Sequence, residues 1–467
     1  SPGLEVPKGA KIETYFDYHD QEGFAGALEM CSGAGVCRKN TGGGGVMCPS
    51  YRATLDERHS TRGRANALRL AISGQLPTGT ATEPAAWNDP ETLETLSLCL
   101  SCKACKSECP SNVDVARLKA EYTAQSYQAA GKTPLQARVF GHVRQLNQLG
   151  SLAPGLANWV GNLPLVRKYL NRLLGLAPQR TLPPFAPSLY RWFAKRPTSS
   201  NPNRDRQGAV NEQLASKVVL FADCFVTYNE PEIGRQAVAV LETLGYEVAF
   251  PKVGCCGRAL ISNGLLPQAI RSADNVLTQL TPYINDPAVK AIVVCEPSCL
   301  SAMQDDWLQL KLKTPMELRR RLAAKAMAVE DFIERFWEQH PLRPTITEVP
   351  DRAANGVVYH GHCHQKALAG SGNKVGAEAF LRRIAGTKLR VLPSGCCGMA
   401  GAFGYAAKRY DLSMKIGEQS LFSLLRDVAP DVTVVAAGTS CRHQIKDGTG
   451  RKAIHPITLA AEALDLA

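Results

Sequence analysis

The sequence has no run of about 18 consecutive apolar residues, which excludes a helix that spans a bilayer. It does not open with the basic and apolar regions of a secretion signal, so we expect a cytoplasmic protein. It begins Ser-Pro-Gly without methionine, which indicates a processed start or a piece of a longer polypeptide. Acidic residues are nearly missing from residues 131–206, which hold twelve Lys or Arg and one acid, Asp205. That stretch therefore carries almost all of the net charge of +12.

Sixteen cysteines in a chain of 467 residues are many for a cytosolic protein, and they are grouped rather than scattered. Disulfide frameworks belong to short secreted chains, whereas grouped thiols in a reducing compartment indicate metal ligation. The length suffices for roughly three domains of about 100–200 residues each. The four groups are Cys31, Cys37 and Cys48; Cys99, Cys102, Cys105 and Cys109; Cys224, Cys255, Cys256, Cys295 and Cys299; and Cys363, Cys396, Cys397 and Cys441.

The second group has the spacing C-x2-C-x2-C-x3-C-P, from Cys99 to Pro110. This run is typical of [4Fe–4S] ligation, in which the fourth cysteine ligates a neighbouring cluster. Structural zinc instead prefers two separated C-x2-C pairs. The sequence therefore predicts at least one [4Fe–4S] cluster.

The first group is a modified version of the same run. Ala34 stands where the middle cysteine would be, and Cys48-Pro49 follows a glycine-rich insertion at 41–46 that we expect to close a loop around a cluster. If ligands cross over as in two-cluster ferredoxins, Cys48 completes one cubane with Cys99, Cys102 and Cys105. Cys31, Cys37 and Cys109 then remain for a second cubane, a [3Fe–4S] cluster or no cluster. His59 is either a fourth ligand there or a hydrogen-bonded side chain.

Apolar spacing predicts helices over 60–73, 91–98 and 113–127, with Ser60 as the cap of the first. Residues 1–130 are therefore predicted to form a helical ferredoxin-like domain. Residues 131–215 are predicted to be a basic bridge of amphipathic helices broken by prolines, over 134–149, 154–160, 164–176 and 187–194. Such helices either pack between domains or contact an anionic membrane surface or a quinone. No nucleic-acid motif accompanies the charge, so we expect no nucleic-acid partner.

The remainder of the chain is an internal repeat. Cys224 precedes Cys255-Cys256-Gly257 by 31 residues, and Cys363 precedes Cys396-Cys397-Gly398 by 33. A further cysteine follows each doublet, Cys299 after 44 residues and Cys441 after 45. The copies differ at one cysteine, because Ala437 takes the place of Cys295. We predict two domains, 216–345 and 346–467.

Each copy alternates short β-branched strands with helices, which predicts parallel sheets. Strands at 217–222, 291–294, 357–359 and 432–435 all run into cysteine positions. Because ligands bind beyond the carboxyl ends of such strands, each cysteine set should converge in one crevice. Adjacent thiols on a tight turn can bridge irons, so the five cysteines of the first copy suit a non-cubane cluster. The four of the second suit an ordinary cluster, a depleted one, or no metal.

Histidines surround Cys363 in the stretch His360-Gly-His362-Cys-His364. A neutral imidazole there can ligate a metal, relay protons or cap the following helix. His362 and His364 flank the cysteine, so we take these two as the catalytic candidates.

The sequence also resembles a known family. The Cys-Cys-Gly (CCG) repeats resemble the cysteine-rich domains of heterodisulfide reductase and of the iron–sulfur subunits of glycolate oxidase and anaerobic glycerol-3-phosphate dehydrogenase. The stretches MCPSYRATLDERHSTRGRANALR and SGCCGMAGAFGYAAKRYDLSMKIG are similar to the C-terminal half of fused FAD-linked D-2-hydroxyacid dehydrogenases. The likeness covers nearly the whole chain. The heterodisulfide pattern implies ligation by Cys224, Cys255, Cys256, Cys295 and Cys299, and Ala34 and Ala437 depart from the family patterns.

The resemblance implies an oxidoreductase module that passes electrons from an FAD-containing dehydrogenase domain or subunit to a quinone or another carrier. The hydroxyacid would be of the D-lactate, D-2-hydroxyglutarate or glycolate type, and the flavin would lie on the partner. The chain would be cytoplasmic, with peripheral contact to the inner face of the membrane through 131–206. Two alternatives are a heterodisulfide-reductase-like thiol–disulfide reductase and a zinc-stabilised scaffold.

Overall fold

The structure is a computed structural model, and it describes residues 13–40, 45–73, 75, 87–196, 216–346, 349–368 and 376–466. Most of the predicted glycine-rich loop, residues 41–44, lies outside this description. Among the described residues, no helix combines the length and the apolar character needed to cross a bilayer.

The first part of the chain is helical. Ser60 caps α3 as predicted, since its Oγ accepts the N–H of Gly63 at 2.9 Å. The chain before α1 pairs across the molecule, where Phe16 forms an antiparallel bridge with Leu310. The helices are α1 Gly23–Glu29, α2 Pro49–Thr54, α3 Thr61–Ile72, α4 Pro90–Ser97, α5 Ala104–Glu108 and α6 Val115–Ala129.

The described part of the basic segment, residues 131–196, forms five short helices: α7 Leu135–Gly141, α8 Val143–Gly150, α9 Pro154–Asn162, α10 Pro164–Leu174 and α11 Leu189–Lys195. The single helix expected over 134–149 is wrong, because the chain breaks at His142 between α7 and α8. Gly141 lies against Leu265, and a Cβ there would come within 2.4 Å of the leucine side chain. The lack of a side chain at Gly141 therefore allows α7 to pack closely on the first repeat.

The first repeat is built on a parallel sheet of order β2-β1-β3-β4. Its strands are β1 Lys217–Leu220, β2 Glu247–Ala249, β3 Val289–Val294 and β4 Ala326–Ala328. Its helices are α12 Cys224–Tyr228, α13 Pro231–Thr243, α14 Arg258–Ser262, α15 Leu266–Asn285, α16 Pro297–Ser301, α17 Trp307–Gln309, α18 Met316–Lys325 and α19 Val329–Arg335. A π-helical turn, Ala302–Asp306, joins α16 to α17.

The second repeat has the same topology, β6-β5-β7-β8, also with parallel pairing throughout. Its strands are β5 Val357–Tyr359, β6 Leu389–Val391, β7 Thr433–Val435 and β8 Ala453–Ile454. Its helices are α20 Cys363–Leu368, α21 Gly376–Ala385, α22 Ala402–Tyr405, α23 Tyr410–Gly417, α24 Ser423–Arg426, α25 Thr439–Thr449 and α26 Pro456–Ala463. The predicted fold class, a helical ferredoxin-like domain and two repeated α/β cysteine-rich domains, is confirmed.

Candidate iron–sulfur centres

Four cysteines predicted to share one cubane line a single cavity. Its walls include Cys48, Cys99, Cys102 and Cys105. Cys48 precedes the first residue of α2, Cys99 and Cys102 lie on the turn between α4 and α5, and Cys105 lies in the first turn of α5. Cys48, Cys102 and Cys105 are buried, and the described thiols are unpaired by disulfides. The spacing that suggested one cluster thus corresponds to one cavity.

Backbone N–H groups point at these sulfurs. Thr61 donates to Cys48 Sγ at 3.1 Å, and Ser101 donates to Cys99 Sγ at 3.4 Å. The backbone is left-handed at Cys48, Ser101 and Lys103, so the chain turns sharply at these ligand loops. Such donors stabilise negative charge on sulfur and tune an iron–sulfur centre.

Positive side chains lie around the cavity. Burial raises the pKa of the Cys48 thiol to about 11, and Arg64 opposes that rise. Lys119 donates to the carbonyl of Cys99 at 2.6 Å. Lys103 lies between two predicted ligands, and its ammonium group contacts Asp305 at 2.7 Å and Asp306 at 2.8 Å. A buried set of thiolates is costly without compensating positive charge, so this setting suits iron ligation.

The second N-terminal set, Cys31, Cys37 and Cys109, is less fully buried than the first. Cys37 is buried, whereas the other two thiols are half-buried. Ser32 and Ser111 join the loops that follow Cys31 and Cys109, with their hydroxyls 3.0 Å apart. His59 hydrogen-bonds Thr54 through Nδ1 at 2.7 Å, which agrees with the hydrogen-bonded alternative for this histidine.

In the first repeat, four thiols form a chain of contacts in the order Cys224, Cys255, Cys256 and Cys299. The last two sulfurs are 3.0 Å apart. Cys255 and Cys256 lie on the turn before Gly257, whose φ is +79°. Hydrogen bonds from Cys224 and Cys256 hold the pKa of Cys255 well below its usual range. The carboxyl ends of β1 and β3 thus bring this cysteine set together, as the parallel topology predicts.

Cys295 is buried at the end of β3 but is not part of that chain of contacts in the described structure. Burial raises the pKa of its thiol well above the usual range, and the carboxylates of Asp223 and Glu330 raise it further. It remains a predicted fifth ligand rather than a member of the contacting group.

The second repeat reproduces the pattern with Cys363, Cys396, Cys397 and Cys441 in contact in that order. Hydrogen bonding from Cys396 lowers the pKa of Cys363 to about 7. The place of Cys295 is taken by Ala437, whose carbonyl accepts a hydrogen bond from Arg442. Four thiols are therefore available here.

The two candidate catalytic histidines have structural hydrogen bonds. His362 caps α20, because its Nδ1 accepts the N–H of His364 at 3.1 Å. His364 donates from Nε2 to the carbonyl of Ser101 at 3.0 Å, and its Nδ1 lies 3.0 Å from Ser301 Oγ. Burial holds the pKa of His364 well below its usual range, so the ring is neutral and Nε2 carries the proton. Their predicted catalytic role stays a prediction.

These contacts bring three domains to one junction. His364 of the second repeat touches the cubane loop through Ser101 and the first repeat through Ser301. Burial is the main cause that raises the pKa of the Cys102 thiol well above its usual range. The nearby Cys363 thiol raises the same pKa further. Cys102 and Cys363 therefore link the cavity to the second repeat.

The two repeats also face each other directly. Glu296, which follows Cys295, accepts the N–H of Thr439 at 2.9 Å. His455, at the end of β8, lies 3.1 Å from the carbonyl of Cys295 through Nε2. The carboxyl ends of the two sheets thus meet, whereas the sequence predicted a separate crevice for each cysteine set.

Sequence reasoning missed two residues at the first repeat. Arg144, on α8 of the basic segment, is buried and donates to the carbonyls of Ala222 and Val253. Asp223 caps α12 beside Cys224, and burial raises the pKa of its carboxyl to about 7. Asp223 precedes Cys224 just as His362 precedes Cys363, and this equivalence in the repeat could have identified Asp223 from the sequence. Nothing in the sequence marks Arg144 among the other basic residues.

The zinc alternative needs several ligands around one ion. Across the described ranges, no group of three His, Cys, Asp or Glu side chains is placed to hold a single metal ion. The thiols of the first domain instead line a cavity, with N–H donors and cations around it. Thiols with amide donors and cations around them are a suitable setting for an iron–sulfur cluster.

Family comparisons agree with this geometry. Residues 30–114 match the family model described as a 4Fe-4S dicluster domain, and residues 218–304 and 357–446 match the one described as a cysteine-rich domain, CCG. The chain is 26% identical to D-2-hydroxyglutarate dehydrogenase of Escherichia coli (strain K12), over 94% of this chain and 44% of that protein. The chain therefore spans less than half the length of that relative.

Two further relatives are, by name, components of a dehydrogenase and of an oxidase. One component of the anaerobic glycerol-3-phosphate dehydrogenase of Escherichia coli (strain K12) is 29% identical over 70% of this chain and 76% of its own length. The probable glycolate oxidase iron-sulfur subunit of Bacillus subtilis (strain 168) is 24% identical over 94% of this chain and 93% of its own. The chain is therefore similar to these proteins, and it combines a 4Fe-4S dicluster domain with two CCG cysteine-rich domains.

Proposed function

We propose that this chain is the electron-transfer part of an FAD-linked D-2-hydroxyacid dehydrogenase of the D-lactate, D-2-hydroxyglutarate or glycolate type. It would take electrons from a flavin on a partner domain or subunit and deliver them to a quinone or another carrier. The names of the relatives support the substrate class, and the cysteine pattern supports the electron-transfer role.

The junction of three domains is the observation that carries this proposal. The cavity lined by Cys48, Cys99, Cys102 and Cys105 adjoins Cys363 of the second repeat, whose crevice faces that of the first. A [4Fe–4S] cluster held by these four cysteines would supply one-electron transfer. The thiol sets are therefore arranged as neighbours within one protein.

The chain's own residues hold and shield this arrangement. The amides of Thr61 and Ser101 donate to ligand sulfurs, and Lys103 fixes the ligand loop against Asp305 and Asp306. His364 ties the same loop to both repeats while remaining neutral. Burial of the thiols keeps water away from the ligands.

The proposal is tested by purifying the chain without oxygen and measuring iron, acid-labile sulfide and EPR spectra. We expect broad visible absorption and the loss of one cubane signal in Cys102→Ser. The control Ser107→Ala, half-buried on the adjoining helix α5, should keep that signal. Colourless protein rich in zinc would contradict the proposal.

The division of labour with the flavin is tested separately. D-lactate, D-2-hydroxyglutarate and glycolate should not be oxidised by the chain alone with an artificial electron acceptor. Turnover without a flavin partner would contradict the proposal.

The thiol–disulfide reductase alternative has less support, because the contacting thiols of the first repeat are at most 8% exposed. A disulfide substrate would need to reach them. Reduction of a heterodisulfide by reduced viologen, abolished in Cys256→Ser, would favour that alternative.

A further inference from the structure

Large apolar side chains are exposed mainly in one segment. Fourteen such side chains are exposed among the described residues, and ten of them lie between 135 and 173. They are Leu135, Leu146, Leu149, Leu152, Leu156, Trp159, Val160, Leu165, Tyr169 and Leu173. Scattered exposed leucines are ordinary, but a concentration of this kind marks an interaction surface.

Helices α9 and α10 supply the centre of this surface, and neither contains a buried residue. Leu156, Trp159 and Val160 share one face of α9 through their i, i+3 and i+4 spacing. Leu165 and Tyr169, spaced i and i+4, share a face of α10 in the same way. Each helix therefore presents a solvent-exposed apolar stripe.

The opposite side of this pair is anchored to the protein. Asn158 exchanges two hydrogen bonds with the backbone of Phe185, at 2.9 and 2.8 Å. Arg167 donates to the carbonyl of Arg180, which is itself buried against the second repeat. The two helices are thus held in place, with their apolar side chains outward.

The charge around the apolar side chains is positive. Residues 131–196 contain ten Lys or Arg and no Asp or Glu. Lys168 and Arg172 are exposed one turn apart on α10, beside Tyr169 and Leu173. Lys132 and Arg138 are exposed at the start of the segment. A surface with apolar and cationic groups and no acids is complementary to anionic lipid.

We propose that α8, α9 and α10 dock the protein on an anionic lipid bilayer, lying in the interface rather than crossing it. Helices of nine and eleven residues are too short to span, since a crossing needs about 20. Exposed Leu, Trp and Tyr side chains with Lys and Arg beside them suit helices that lie in the membrane interface. Each exposed cation adds to the attraction between the protein and such a surface. The inference is connected to the proposed function at one point only: docking would bring the protein within reach of a quinone in the membrane.

Vesicle sedimentation tests the proposal with the whole chain. We expect binding to vesicles of phosphatidylcholine with about one-third phosphatidylglycerol, and little binding to phosphatidylcholine alone or in high salt. The double variant Trp159→Ser, Leu165→Ser should bind these vesicles at least about tenfold more weakly than the parent, because both side chains would be buried in lipid. Both lie on the surface, so unfolding is not expected.

The matched control is Leu55→Ser, which removes a similarly exposed leucine outside this segment and should bind like the parent. Absence of binding to anionic vesicles, or equal binding by the double variant, would overturn the proposal. Light scattering that shows a dimer dissociated by the same double substitution would instead assign the surface to a second copy of the chain. None of these measurements depends on electron transfer, so the proposed function can fail without affecting them.

Discussion

At the scale of single residues, the buried ammonium group of Lys103 is the most testable feature of the cubane loop. Its side chain is 1% exposed and pairs with Asp305 and Asp306. Burial opposes its charge, but these two carboxylates hold its pKa above the usual value. Lys103→Met would leave buried carboxylates short of a cation, which we expect to lower the free energy of unfolding by about 3–5 kcal/mol. Urea unfolding without oxygen measures this change.

Lys106→Met is the matched control for that substitution. Lys106 also pairs with Asp305, but its side chain is 36% exposed, so solvent weakens the interaction. We expect a loss of about 1 kcal/mol or less. Equal losses in both variants would show that burial of the Lys103 pair has no special importance.

At the scale of elements, the strands that the sequence predicted are the central ones. β1, β3, β5 and β7 are β-branched runs that end at cysteines, and each was found. β2, β4, β6 and β8 were missed, and these are the outer strands of the two sheets. Strands as short as Ala453–Ile454 have no periodicity that a pattern could detect.

The basic segment shows why charge alone did not predict its role. Its cations look equivalent in the sequence, yet Arg144 and Arg180 are buried and each anchors one repeat. Tertiary packing distinguishes them from exposed neighbours such as Arg172, and packing is not readable from a local run of residues.

Arg180 therefore carries a prediction for this segment. Its guanidinium contacts Asp447 at 2.6 Å and donates to Ser413 and to the carbonyl of Gly404. Arg180→Met should lower the free energy of unfolding by about 3–5 kcal/mol, because Asp447 loses its partner in a mostly buried place. Thermal or urea unfolding measures the loss. The exposed control Arg172→Met should change it by less than about 0.5 kcal/mol, and a similar effect in both variants would contradict this account.

At the scale of the whole molecule, the cysteine spacing predicted the four contacting thiols of each repeat, but not that Cys295 lies outside the first group or how the domains meet. The contacting thiols of each set could be read from repeats and motifs. The junction through His364 and the facing of Cys295 by His455 could not, because both depend on packing between residues far apart in the sequence. Of the two catalytic candidates, His362 caps α20 and His364 lies at this junction, and their catalytic role stays a prediction.

Acid should weaken this assembly, because its histidines are buried in the neutral form. Six of the nine histidines have a pKa lowered chiefly by burial: His59, His340, His360, His364, His443 and His455. For His455 burial lowers the pKa to about 3, against about 6.5 in the unfolded chain. Between these two pH values the unfolded chain binds more protons at His455 than the folded protein does. The contribution of the neutral ring to the free energy of unfolding is therefore fully present above about pH 6.5 and is lost as the pH drops.

Each strongly shifted histidine should cost up to about 1.4 kcal/mol of unfolding free energy per pH unit below about 6.5. His455→Gln removes one titrating ring while keeping an amide that can donate to the carbonyl of Cys295. Urea unfolding at about pH 7.5, 6.5 and 5.5 should therefore show a shallower loss in the variant than in the parent. Acid release of iron would affect both proteins alike, so the difference between their slopes reports His455. Parallel slopes would mean that this histidine is not held neutral at the interface between the two repeats.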